Sequence, residues 1–268
     1  GFPRLEVIGA ALASVIGIVS GTVMAVVAIT SHKDSYLHIG RHDEWKFHPE
    51  TLRGIVKLGG NAMVEQISVR VGFFIYGRII YDMGVTAFAA HNIAMQMMNL
   101  TFNFADGLAV AGTSLVGQNL GARRSDLSLL YGKMTQRLAF AFSLIIAAIV
   151  AVFRYPLAQL FINADTLGAP QVIAMATSAM LVLACFQPVQ MNSVALSGAL
   201  RGAGDNLYVA SVMMVCVGVL RPLMTYIAVY VFRFSLPITW ILGLSEMLVR
   251  LALFHLRFES GKWMTKKV

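Results

Sequence analysis

Charge is scarce in this sequence. Only 13% of its 268 residues are Asp, Glu, Lys or Arg, while 57% are hydrophobic; an ordinary globular domain carries about 25% charged residues. So apolar a chain cannot have water as its main solvent, which excludes a soluble domain. Cysteine is also sparse: Cys185 and Cys216 both lie in apolar runs, so they are packing residues and supply no extracellular disulfide framework. There is no G-x-x-x-x-G-K-[ST] loop to cradle nucleotide phosphates, so nothing points to ATP as an energy source. Paired aspartates and His-x-x-x-His clusters are missing from the apolar runs, and the chain is not read as an enzyme. Strict apolar/polar alternation, the mark of barrel strands, is absent too. The first residues, Gly-Phe-Pro-Arg, contain neither Met nor a signal-peptide pattern, so the chain reads as the later part of something longer.

What is present is long apolar runs, at residues 7–30, 55–81, 87–116, 138–161, 172–199, 208–232 and 236–254. A helix needs about 20 apolar residues to cross a hydrocarbon core, so the expected fold is an all-α integral membrane protein of about seven transmembrane helices. Gly, Pro, Asn and Asp punctuate the junctions, as in Asp82-Met83-Gly84 and Gly202-Ala203-Gly204-Asp205. One connector, 31–53, is long and polar. Its His32, His38, His42 and His48 match no zinc spacing and read as interfacial loop residues. The segment 123–137, with Leu127, Leu129, Leu130 and Tyr131 among basic residues, reads as an interfacial amphipathic helix.

Lys and Arg are distributed unevenly across those seven spans. Lys33, Arg41, Lys46, Arg53 and Lys57, then Arg123, Arg124, Lys133 and Arg137, then Arg201, then Arg257, Lys262, Lys266 and Lys267 all fall on one side. The opposite side keeps Arg4 and Arg233, with Arg78 and Arg154 near span ends. By the positive-inside rule the long connector and the tail are cytoplasmic in a multi-pass plasma-membrane protein. The net charge of +8 is thus a topology signal, and no nucleic-acid partner is implied; the lipid bilayer is the partner.

Polar residues inside spans are costly, and their pattern points to function. Asn92, Gln96, Asn99, Asn103 and Asp106 recur every four or three positions on one helical face. Gln187, Gln190, Ser193 and Ser197 repeat the pattern around Pro188, which invites a kink. Asn61, Glu65, Ser68 and Gly72 share a face of the second span, with Glu65 about 12 Å beyond Lys57 and close to the membrane middle. Three such stripes suggest a common aqueous cavity, although interhelical hydrogen bonding alone would produce the same pattern. A carboxylate at mid-depth must be hydrated, paired or protonated, so Glu65 is the first candidate for ion coupling or substrate contact. Asp106 is the second, either near Arg70 or reaching water. Glu246 and Arg250 have the spacing of an intrahelical ion pair. Arg221 precedes Pro222 inside the sixth span and is expected to anchor a broken helix; its partner cannot be read from spacing.

Several runs resemble a known family. Ala89-Ala90-His91-Asn92-Ile93-Ala94 with Gln96, followed by Leu115-Val116-Gly117-Gln118-Asn119-Leu120-Gly121-Ala122, resembles the eighth span of multidrug and toxin extrusion (MATE) transporters. Leu200-Arg201-Gly202-Ala203-Gly204-Asp205 resembles the turn after their tenth span, Arg221-Pro222-Leu223 a motif in their eleventh, and the opening from Leu5 to Ala13 the start of their sixth. The resemblance implies one six-helix MATE-type lobe plus one extra span: residues 1–31 as the sixth span, 32–53 as a cytoplasmic connector, 54–257 as the C-terminal lobe and 258–268 as a basic tail. The N-terminal lobe of the same polypeptide is then a partner. The implied activity is secondary efflux of small organic cations in exchange for H⁺ or Na⁺, with no cofactor. Glu65 falls at the acidic position of the family's seventh span, able to take up a proton on one side and release it on the other. Gln190 stands where some members carry a second acid, which leaves the coupling ion open. A related flippase for lipid-linked sugars would share the lobe but needs cationic cavity residues, and the stripes read here are neutral or acidic. A seven-span receptor or intramembrane enzyme remains as a reading of a different class.

Overall fold

A computed structural model describes residues 6–31, 48–162 and 168–264. Seven long helices follow in order: α1 (Glu6–Ser31), α2 (Pro49–Tyr81), α3 (Val85–Gly121), α4 (Ser125–Gln159), α5 (Ala169–Gly202), α6 (Asn206–Val231) and α7 (Leu236–Glu259). Each overlaps one of the expected apolar runs, with α4 starting at Ser125 where its run was expected from 138. Two compact units divide the chain, Gly1–Gly54 and Ile55–Val268. The first contains α1, whose Ala11–Val27 stretch is apolar but short. In the second, α2 to α7 form a helical bundle.

Among the described residues, four helices, α4 to α7, are long and apolar enough to cross a membrane outright. The polar residues of α2 and α3 lower their mean hydropathy although both exceed 30 residues. Residues 123–137 do not form a separate interfacial helix. From Ser125 onward they are the first turns of the continuous 35-residue α4. Of the four histidines expected in the connector, three lie outside the described residues, and His48 is exposed just before α2.

α5 is the centre of the bundle, packing most extensively on α3 and α4. Glycine makes the close crossing possible: a Cβ at Gly198 would stand 2.4 Å from the Ala109 carbonyl oxygen, and one at Gly202 would stand 2.2 Å from that of Thr113. Thr113 fastens the crossing by donating its Oγ1 hydrogen bond to the Gly198 carbonyl at 2.8 Å. α5 runs on through Pro188, where the Asn192 side-chain amide donates to the Pro188 carbonyl at 2.7 Å.

The two family-like turns share one construction. After α5, Asp205 N–H donates to the Leu200 carbonyl and Gly204 N–H to that of Arg201, with Gly204 at φ +78°. After α3, Arg124 N–H reaches Asn119 and Arg123 N–H reaches Leu120, with Arg123 at φ +59°. Both are Schellman motifs, in which one left-handed residue lets the last carbonyls of a helix find donors.

α6 widens rather than breaks. Met214–Leu220 and Ile227–Val231 are π-helical on either side of Arg221–Tyr226. Pro222 has no N–H, and its ring would strike the carbonyl four residues earlier; the wider turn accommodates both. The widened stretch packs on α2, where a Cβ at Gly72 would meet the Val217 carbonyl oxygen at 2.5 Å.

Candidate functional site

Among the described residues there are three apolar clusters, one of them of Ala105, Ala109, Ala139, Met191, Val194 and Ala195, and the two largest occupy opposite ends of the bundle. One gathers Tyr76, Met97, Met180, Leu183 and Trp240, the other Val116, Leu196, Leu200, Phe254 and Trp263. Between them lies a layer of charge. Glu65, only 2% exposed, accepts a hydrogen bond from Arg201 Nη2 at 2.6 Å. Arg201 was expected in a loop; it occupies the last turn of α5 and turns toward α2. The pair forms part of the wall of a ≈ 430 Å³ cavity to which α3 contributes Asp106 and Thr113, and α5 contributes Ser193 and Ser197. Asn61 lies just beyond, in a ≈ 450 Å³ hollow that also touches Glu65, Arg201 and Asn206.

A second cavity of ≈ 250 Å³ adjoins the first, sharing Gln66, Phe102, Met213 and Arg250 with it. Asn99 and Gln190 reach this one, beside Arg70 and Arg221. Behind its wall Arg221 is 1% exposed and donates Nη2–H to Glu246 Oε1. Arg250 Nε stands 4.0 Å from the other oxygen of the same carboxylate. The Glu246–Arg250 spacing expected from the sequence is therefore real, but Arg221 is the tighter partner, from a helix 25 residues away. No sequence signal pairs these two. The Arg221 guanidinium also lies over the Phe73 ring, 4.8 Å from its centroid.

The other stripe residues separate. Asp106 and Arg70 line different cavities, and no ion pair joins them among the described residues. Asn92 and Gln96 are exposed on α3. Asn103 faces a hollow with Phe142 and Met191. Ser68 sits where α2 meets α6 and donates to the Val64 carbonyl at 2.8 Å. Gln187 is 1% exposed, and neither amide atom has a hydrogen-bond partner among the described residues. Sequence reasoning also missed a buried knot at the far end: the His91 ring lies edge-on to Tyr76 at 5.1 Å and to Trp240 at 5.5 Å.

Cationic lining was not foreseen. Arg70, Arg201, Arg221 and Arg250 line the two cavities against Glu65 and Asp106, which corrects the reading of the stripes as neutral or acidic. These arginines converge from four helices, which spacing along any single helix does not show. No cluster of three or more His, Cys, Asp or Glu residues able to hold a metal exists among the described residues.

The MatE family model matches residues 62–227, which include most of the residues lining the two cavities. A probable multidrug resistance protein NorM of Thermotoga maritima is 27% identical over 269 residues, covering 100% of this chain and 56% of its own length. A probable NorM of Rhodopseudomonas palustris is 30% identical over 210 residues, covering 76% of this chain and 43% of its own. The chain thus spans about half the length of these relatives. The fold matches an outward-facing multidrug resistance MATE transporter of the MOP superfamily with a TM-score of 0.78 at 21% identity, over 96% of this chain and 57% of that one. With its polar cavities enclosed by long apolar helices, this multi-pass membrane protein belongs to the MATE family.

Proposed function

We propose that this chain supplies the sixth span and C-terminal lobe of a plasma-membrane antiporter that expels organic, chiefly cationic, amphiphiles in exchange for H⁺ or Na⁺. The long connector and the tail are cytoplasmic, and the N-terminal lobe of the same polypeptide closes the transport path. The observation that carries the reading is Glu65, buried at the wall of a cavity and held, among the described residues, by the charged partner Arg201. A carboxylate in that position has two ways to be satisfied. Arg201 can neutralise it, or a proton or Na⁺ can do so and release Arg201. The two arrangements differ in net cavity charge, and a transported cation feels that difference, which is the requirement for coupling. The relatives named as multidrug resistance proteins support the efflux reading.

The test is efflux of a fluorescent lipophilic cation from vesicles bearing the two-lobed protein, with Na⁺ and pH gradients imposed separately. Glu65→Gln is expected to abolish efflux under the coupling gradient, and the gradient that drives the wild type identifies the ion. Gradient-driven efflux indifferent to Glu65→Gln would remove Glu65 from the mechanism.

A further inference from the structure

α4 stands apart from the polar cavities. Neither takes a lining residue from it, and its most apolar stretch is the least buried of the four membrane-length helices, at 17%. Beside it lies a groove of ≈ 440 Å³ with α4 and α7 as walls and α5 as floor. On α5 the groove residues Pro188, Val189 and Asn192 and the cavity residues Gln190, Ser193 and Ser197 centre on opposite sides of the helix, at about 100° per residue. Phe140 and Leu248 are half exposed on the groove's rims. The groove thus opens toward the hydrocarbon that surrounds a spanning bundle.

Its two ends differ. α4 and α7 are antiparallel, because successive spans alternate in direction. They meet where the Phe258 ring lies against Gly132 and Lys133 pairs with Glu259 at 3.3 Å. One turn further in, Arg137 on α4 stands level with His255 on α7. Both are exposed, and Gln136 beside Arg137 lines the groove together with His255. Lys133 is neutralised by Glu259, whereas Arg137 has no acidic partner among the described residues. Past this level the walls turn apolar, through Phe140, Leu251 and Leu248 to Val189, and the Asn192 amide is spent on the Pro188 carbonyl at 2.7 Å. From His255 to Leu248 the groove runs for about 10 Å at 1.5 Å per residue.

We infer that this groove is a binding site for an anionic phospholipid, with the lipid phosphate at Arg137, Gln136 and His255 and one acyl chain laid along the Pro188 stretch of α5. A guanidinium donates paired hydrogen bonds to a phosphate, and basic pockets between transmembrane helices suit anionic headgroups. The amide and imidazole add donors at the same level. A soluble anion would use the mouth and leave the apolar length uncovered, while a bilayer lipid delivers both parts at once from the side. The inference rests on the transporter reading in one respect, that the N-terminal lobe closes over the polar cavities and so leaves α4 facing lipid.

The test is native mass spectrometry of the two-lobed protein in detergent, titrated with phosphatidylglycerol, with phosphatidylcholine of the same chains, and with glycerol phosphate, which has the anion and no chain. The tightest phosphatidylglycerol is expected to bind about tenfold better than phosphatidylcholine, the worth of one charge-assisted contact, and Arg137→Gln to remove that preference. Ala252 is exposed and lines the groove, so Ala252→Trp should fill it and weaken both lipids. Glycerol phosphate should not displace phosphatidylglycerol. Equal binding of the two lipids, binding of neither because the other lobe covers the groove, phosphatidylglycerol binding indifferent to either variant, or displacement by glycerol phosphate would overturn the inference. Neither substitution touches Glu65, so failure here would leave the efflux test of coupling undisturbed.

Discussion

Glu246 holds two guanidinium groups inside the bundle and is itself 0% exposed. Removing its charge leaves Arg221 and Arg250 buried together with no counterion. Loss of one partner of a buried pair costs about 3–5 kcal/mol, so Glu246→Gln should lower the midpoint of thermal unfolding in detergent sharply; an unchanged midpoint would refute this role. The opposite sign is expected at Arg123, an exposed residue held at φ +59°. A left-handed conformation costs a non-glycine residue roughly 1–2 kcal/mol, so Arg123→Gly should stabilise by about 1 kcal/mol, read from the same unfolding curve. At Gly204, the corresponding position of the other turn, Gly204→Ala should destabilise. Two of these contacts were visible early. The Glu246–Arg250 spacing showed as an i,i+4 pair, and the Gly-Ala-Gly-Asp run showed as a turn. Arg221–Glu246 and Glu65–Arg201 were invisible, because long-range ion pairs leave no periodic trace.

At the scale of helices, glycine sets how closely the bundle closes. α3 crosses α5 with no room for a methyl group at Gly198 or Gly202, and the listening neighbours are backbone carbonyls that cannot rotate away. Gly202→Ala should therefore cost at least the about 1–3 kcal/mol typical of overpacking. It should also separate Thr113 from Gly198, which amide exchange at the ends of α3 and α5 would report as faster opening. Gly121→Ala, where nothing lies within 4 Å, should leave both readouts unchanged. The helices themselves were legible from apolar runs in number and order, because run length alone separates a span from a turn. Their first and last turns were not. α4 begins at Ser125 rather than near 138, since basic residues that end an apolar run need not end a helix. The π-helical widening of α6 was equally hidden: Pro222 announces a defect in the helix but does not say whether it breaks or widens.

For the whole molecule, the chain covers 56% of the length of its Thermotoga maritima relative. Repeat-built transporters work by moving one lobe against another around a central site. The 268-residue chain reconstituted alone should therefore show no gradient-driven transport, and co-expression with an N-terminal lobe should restore it; robust transport by the chain alone would contradict the two-lobe reading. Sequence periodicity suggested one common aqueous cavity, whereas among the described residues the polar stripes reach several hollows, and the membership of their walls was only partly legible. Glu65, Asp106, Asn99, Gln190 and Ser193 reach cavities, while Ser68 and Gln187 are absorbed by packing. A stripe specifies one side of one helix, and which side faces a cavity is decided by the neighbours.

If Glu65 couples ion movement to substrate movement, the sharpest test separates coupling from simple passage. Vesicles bearing the two-lobed protein would be loaded with an unlabelled lipophilic cation, and exchange for labelled cation outside would be followed with no ion gradient, then under the coupling gradient. In Glu65→Gln, ungraded exchange should survive while gradient-driven accumulation falls by about tenfold or more, the size of a typical coupling free energy. Equal loss of both activities would mean that Glu65 holds the lobe together, and unchanged accumulation would mean that the ion binds elsewhere.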